Sequence, residues 1–169
     1  SVLSITSTSE TTAFVTGLHW DLGGTHALDF SLDQSRTRFV GSAFASDALT
    51  MYGALSGSPG RWSYRLGASV LASGGNSQFK QDNATFDASL AYRLDPRQRL
   101  RLALQTGRTQ GYLPQDDAFF TLSHDYQIYK NVALVTSYRW RNVRNLDPLV
   151  TSGAYRSSGF DLELAFNFR

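Results

Sequence analysis

Residues 157–169 read Ser-Ser-Gly-Phe-Asp-Leu-Glu-Leu-Ala-Phe-Asn-Phe-Arg. From Phe160 onward the even positions are Phe160, Leu162, Leu164, Phe166 and Phe168, and the odd ones are Asp161, Glu163, Ala165, Asn167 and Arg169. A period of two is that of a β-strand, whose successive side chains point to opposite faces. This stretch therefore has one apolar and one polar face. Its length is close to the roughly ten residues a strand needs to cross a bilayer at a barrel tilt.

The same alternation recurs upstream. Leu18, Trp20 and Leu22 share a parity against Gly17, His19 and Asp21, and the turn Gly23-Gly24-Thr25 supplies the positive φ of a tight hairpin. In a three-residue loop Leu22 would face His26 and His19 would lie opposite Asp29. Leu28, Phe30 and Leu32 continue the apolar face, followed by Leu49, Met51 and Leu55. The turn Ser56-Gly57-Ser58-Pro59-Gly60 leads to Trp62, Tyr64, Leu66 and Val70. Phe86, Leu90 and Tyr92 precede the turn Asp95-Pro96-Arg97-Gln98, after which Leu100, Leu102 and Leu104 alternate with Arg99, Arg101 and Ala103. Phe120, Leu122, Tyr126 and Ile128, a turn at Tyr129-Lys130-Asn131, then Leu134, Tyr138 and Trp140 complete the series. The stretches 35–46, 73–83, 111–114 and 142–156 lack the pattern and are expected to be loops. Short turns thus alternate with long connections. With Ser1–Thr8 as a weak strand there are ten strands; without it there are nine, an odd number that suggests a missing partner strand or a larger barrel.

Composition narrows the class. No apolar run approaches the 18 or so residues of a spanning helix, whereas barrel strands need only half their residues apolar. There is no cysteine, hence no disulfide framework and no thiolate chemistry. A net charge of +2 is too small to argue for nucleic acid. No signal-peptide pattern opens the chain, so it reads as one domain, residues 1–169, of a mature chain or as the C-terminal part of a longer one.

An amphipathic terminal strand with an aromatic next to its end resembles the closing strand of bacterial outer-membrane β-barrel proteins. The resemblance implies an all-β, antiparallel up-and-down barrel of about ten strands in a Gram-negative outer membrane, with short periplasmic turns and longer extracellular loops. It also implies contact with outer-membrane lipids and lipopolysaccharide, recognition of the last strand by the barrel-assembly machinery, and room for other envelope partners. A soluble lipocalin-like barrel or a β-sandwich is the rival. Three features favour lipid against the apolar face. The other face is rich in small residues such as Gly67, Ser69, Ser89, Ala103 and Ser137. The aromatics fall in two bands, with Trp20, Trp62, Tyr92, Tyr126 and Phe168 near short turns or the C-terminus, and Trp140 near the long loops. The polar face holds charges that can pair, Arg65, Arg93, Arg99, Arg101, Arg139 and Arg141 with Asp29, Asp87, Asp125 and Glu163.

Those interior charges are the candidate site. Arg93 is expected opposite Arg99 or Arg101, an unfavourable pairing unless acids or water intervene. The functional reading is an arginine-lined constriction preferring anions, and the bland one is a packed plug neutralised by Asp87, Asp125 and Glu163. His19, Asp29 and Ser31 imitate a hydrolytic set, yet they lie near a short turn and read better as a hydrogen-bonded pair. His26 and His124 have outward parity. No spacing motif for a metal or cofactor occurs. Arg36, Arg38, Tyr112, Tyr155 and Arg156 are expected in loops, where they would be solvated or meet lipopolysaccharide. The reading is a non-enzymatic barrel, a narrow channel or the translocation barrel of an export system. The alternative is an anchor displaying loops, and an outer-membrane lipid hydrolase is the third.

Overall fold

The computed structural model describes residues 9–39, 45–75, 80–111, 114–147 and 154–166. These form β1 (Ser9–Gly23), β2 (His26–Phe39), β3 (Ala45–Gly57), β4 (Trp62–Gly75), β5 (Gln81–Asp95), β6 (Gln98–Gly111), β7 (Gln115–Tyr129), β8 (Val132–Asn145) and β9 (Ala154–Phe166). All pair in chain order in one sheet, and every neighbouring pair is antiparallel. The up-and-down topology follows from the turns. Gly23, Gly24 and Gly60 take positive φ, which costs a side-chain-bearing residue energy and glycine almost none. Asp95 fixes its own turn, its carboxylate accepting from the Arg97 backbone N–H at 2.7 Å and from Gln98 Nε2 at 2.9 Å.

The strands outrun the apolar pattern. Segments expected as loops are strand: β2 continues to Phe39, β4 to Gly75, β8 to Asn145, and β9 begins at Ala154. Past the apolar band apolar residues such as Phe39 and Val143 are isolated and no longer recur every second position, so alternation disappears while the backbone ladder goes on. Arg36, Arg38, Tyr155 and Arg156 are accordingly strand residues, and Tyr112 lies outside the described residues. The first hairpin also differs in detail. Gly23, not Leu22, faces His26, because a register shift falls between Asp21 and Gly23. Similar shifts occur before the turns after β5 and β7.

This sheet encloses no packed core. Ala54 is the one buried hydrophobic residue among those described, and none has a large, fully buried side chain. Leu18 and Trp20 are each 60% exposed, and Phe160 81%. A soluble sandwich would bury such residues against a second sheet, and the described residues form one sheet only. A continuous bare apolar face of this size is stable only against another apolar phase.

The expected all-β, antiparallel up-and-down architecture is present, and the barrel of about ten strands is met in part. Nine strands are present among the described residues, with Ser1–Thr8 outside them. β1 and β9 make no contact with each other, so the described sheet is an open arc.

Candidate functional site

Register decides which side chains share the polar face. Reading across the sheet, Asp29 of β2 meets Ala54, then Gly67, Asp87, Gln105, Phe119 and Arg141. The neighbouring row runs from Ser31 through Tyr52, Ser69, Thr85, Gly107 and Asp117. All ten expected interior charges, Asp29, Arg65, Asp87, Arg93, Arg99, Arg101, Asp125, Arg139, Arg141 and Glu163, have this parity. The five described aromatics, Trp20, Trp62, Tyr92, Tyr126 and Trp140, have the other. Phe168 lies outside the described residues. Trp62 and Tyr92 are register partners with ring centroids 4.4 Å apart, a cross-strand aromatic pair.

The arginines do not share one environment. Arg101 Nη2 donates to Asp125 at 2.6 Å, bridging β6 and β7. Arg139 donates to Asp161 Oδ2 from Nη2 at 2.7 Å and from Nε at 2.8 Å, bridging β8 and β9. Arg65 donates to the Tyr52 hydroxyl from both Nε and Nη2, with its guanidinium carbon 5.6 Å from the ring centroid. Arg93 faces Arg99 directly, and Asp125 is the next residue across from Arg99. One row thus places two guanidinium groups before a single carboxylate already engaged by Arg101.

Two partners escaped the sequence reading. Tyr52 and Asp161 both lie on the polar parity, but only the β3–β4 and β8–β9 registers show which arginine each receives. Two glycines serve the acids of this face. A Cβ on Gly67 would lie 2.5 Å from Asp87 Oδ1, and one on Gly107 would lie 2.6 Å from Asp117 Oδ1. Each glycine is the slot into which a neighbouring carboxylate folds.

The histidines behave as parity requires. His19 Nδ1 lies 2.6 Å from Asp29 Oδ1 as its register partner, and Nε2 lies 3.3 Å from Asp21 Oδ1. Both ring nitrogens are taken by carboxylates, and Ser31 pairs with Gly17 and Tyr52 instead. His26 bonds the Tyr64 hydroxyl at 2.8 Å, and His124 lies 3.2 Å from Gln98 Oε1, both on the apolar face. Among the described residues no group of three or more His, Asp or Glu has metal-binding geometry.

One antiparallel up-and-down sheet with a bare apolar face and a charged, unfilled polar face has the fold of an outer-membrane β-barrel wall. The comparison with solved structures bears this out. The chain is similar to the outer-membrane expressed OmpT of Vibrio cholerae, with a TM-score of 0.67 at 10% identity over 94% of this chain and 56% of that one. No protein-family model matches the chain, and no curated protein sequence matches it. The chain therefore spans a little over half the length of the structure it resembles. One expectation is corrected here. The reading of the chain as a non-enzyme is withdrawn, because its likeness is to OmpT and a shared fold leaves catalysis open.

Proposed function

We propose that the chain forms a wall of an outer-membrane β-barrel in a Gram-negative bacterium, and that its polar face lines a water-filled path for small hydrophilic solutes. The observation that carries this reading is the charged, solvent-exposed polar face. Arg101 and Arg139 keep 51% and 56% of their side-chain surface exposed even while ion-paired. A packed plug would bury them among partners.

Arginines outnumber acids locally at the β5–β6 short-turn end of this face, where Arg93 and Arg99 are register partners. Unmatched guanidinium groups along a water path favour anions locally, the way rings of charged side chains set selectivity in channels. The narrower reading is accordingly a path in which the β5–β6 row draws anions past it.

Planar-bilayer recording on the full-length protein tests both levels. Discrete conductance with a reversal potential on the anion side is expected, and Arg99→Glu together with Arg101→Glu should move it toward cations. Absence of conductance would sink the passage reading. Conductance indifferent to the two charge reversals would sink the role given to the arginine row.

A further inference from the structure

The apolar face is not uniformly bulky. Toward the long-loop ends of β4 to β8 a depression of about 530 Å³ opens in it. Its floor is made of short side chains, among them Ala68, Ala84 and Ala118, with Phe86 as a wall and Arg108 and Asp116 on the rim. Register explains the hollow. The adjacent row, nearer the short turns, carries Leu66, Leu104, Phe120 and Trp140. The next row has Phe86 as its one bulky member, between Ala68 and Thr106 and followed by Ala118, and the row after it carries Val70, Ala84, Arg108 and Asp116. The wall thins just where the apolar band gives way to charge.

That rim is cationic beyond its own neutralisation. Arg108 holds Asp116 through a two-point fork, Nε to Oδ1 at 2.7 Å and Nη2 to Oδ2 at 3.0 Å. Asp116 is also the register partner of Arg144 on β8, so one carboxylate stands between two guanidinium groups. Arg156 follows on β9, its Nε donating to Asn142 Oδ1 at 3.3 Å. A guanidinium offers five N–H donors, and the fork occupies two of those on Arg108. The remaining donors are of the kind that binds phosphate oxygens, and planar forks suit phosphate especially well.

We propose that this depression binds one anionic, phosphate-bearing membrane lipid. An acyl segment lies over Ala68, Ala84 and Ala118, and the headgroup phosphate sits on Arg108 and Arg144. Charge complementarity at the rim and apolar lining below it, on a face that meets lipid, identify the occupant. The inference uses only the membrane placement of the apolar face, so it stands or falls apart from conduction by the polar face.

The test is native mass spectrometry of the full-length protein in neutral detergent, titrated with phosphatidylglycerol or phosphatidylcholine. One phosphatidylglycerol should be retained per chain, in preference to phosphatidylcholine. Arg108→Gln should weaken retention roughly tenfold, the scale of losing one charge-assisted hydrogen bond. Ala118→Trp, which fills the hollow, should weaken it as much, while Leu164→Trp on the distant β9 should not. Asp116→Asn supplies the sharpest arm. Removing the carboxylate that competes for both arginines should tighten binding, whereas an ion pair serving only as a strand clip would make the Arg108 and Asp116 variants fail together. Equal retention of the two lipids, no effect of Ala118→Trp, or displacement by inorganic phosphate would overturn the proposal. Variants are compared only where heat-dependent gel mobility shows them folded, and Ala84→Leu replaces Ala118→Trp if the latter does not fold.

Discussion

Gly111 and Gly53 show how differently two missing side chains bear on one sheet. Gly111 ends β6 at φ +112°, a conformation L residues rarely adopt, and a Cβ there would collide with the Lys80 backbone carbonyl. Gly53 sits mid-strand in ordinary extended conformation with nothing within 4 Å of a built Cβ. Gly111→Ala should therefore cost about 1–3 kcal/mol, the usual penalty of holding a non-glycine residue in a sparse backbone region. Gly53→Ala should be neutral or slightly stabilising, since alanine loses less backbone freedom on folding. Urea unfolding of both variants in lipid vesicles checks the contrast, and similar losses in the two would refute it. The Asp87 and Asp117 slots belong to this scale too. Gly67 is legible in the sequence as a small residue on the polar parity and Gly107 is not, and the carboxylates filling both slots lie on neighbouring strands and need the register.

At the scale of the strand, parity should govern what each position tolerates. Leu122 and Ser123 are neighbours on β7 with opposite faces. Leu122→Arg should destabilise the folded protein in membranes by about 2–4 kcal/mol, the usual cost of arginine against the bilayer midplane, and Ser123→Arg by far less. Refolding yield into vesicles at a series of urea concentrations reads the difference. Equal penalties at the two positions would mean that the faces are misassigned. Parity is also what made the strands legible from sequence alone, since Leu100, Leu102 and Leu104 against Arg99, Arg101 and Ala103 admit one reading. The upper strand ends stayed hidden for the same reason. Around Arg36, Arg38, Asn142 and Arg144 the apolar face is lost, and hydrogen bonds between backbones leave no trace in side-chain pattern. Cross-strand partners such as Asp161 for Arg139 were equally hidden, because the connection between β8 and β9 is long and turn chemistry does not fix its register.

At the scale of the molecule, the two faces should differ in what reaches them. Single cysteines at Thr121, on the polar face, and Phe120, on the apolar one, are adjacent in sequence and offer a direct comparison. In intact membranes a charged, water-soluble maleimide should label Thr121→Cys readily and Phe120→Cys slowly if at all. Comparable labelling of both would contradict a lipid-facing apolar wall. Among the described residues β1 and β9 are the outer strands of the sheet, and this carries a further consequence, one of direction. Each strand runs opposite to its predecessor, so the first and ninth run the same way across the sheet. Brought together, those two edges make a parallel seam, and a second copy inserted in the same sense meets them on the same terms. An all-antiparallel ring built on this arc takes an odd number of intervening strands, the first of them running against β9 and the last against β1. Whatever completes the wall, its direction of travel is already set by the nine strands in place.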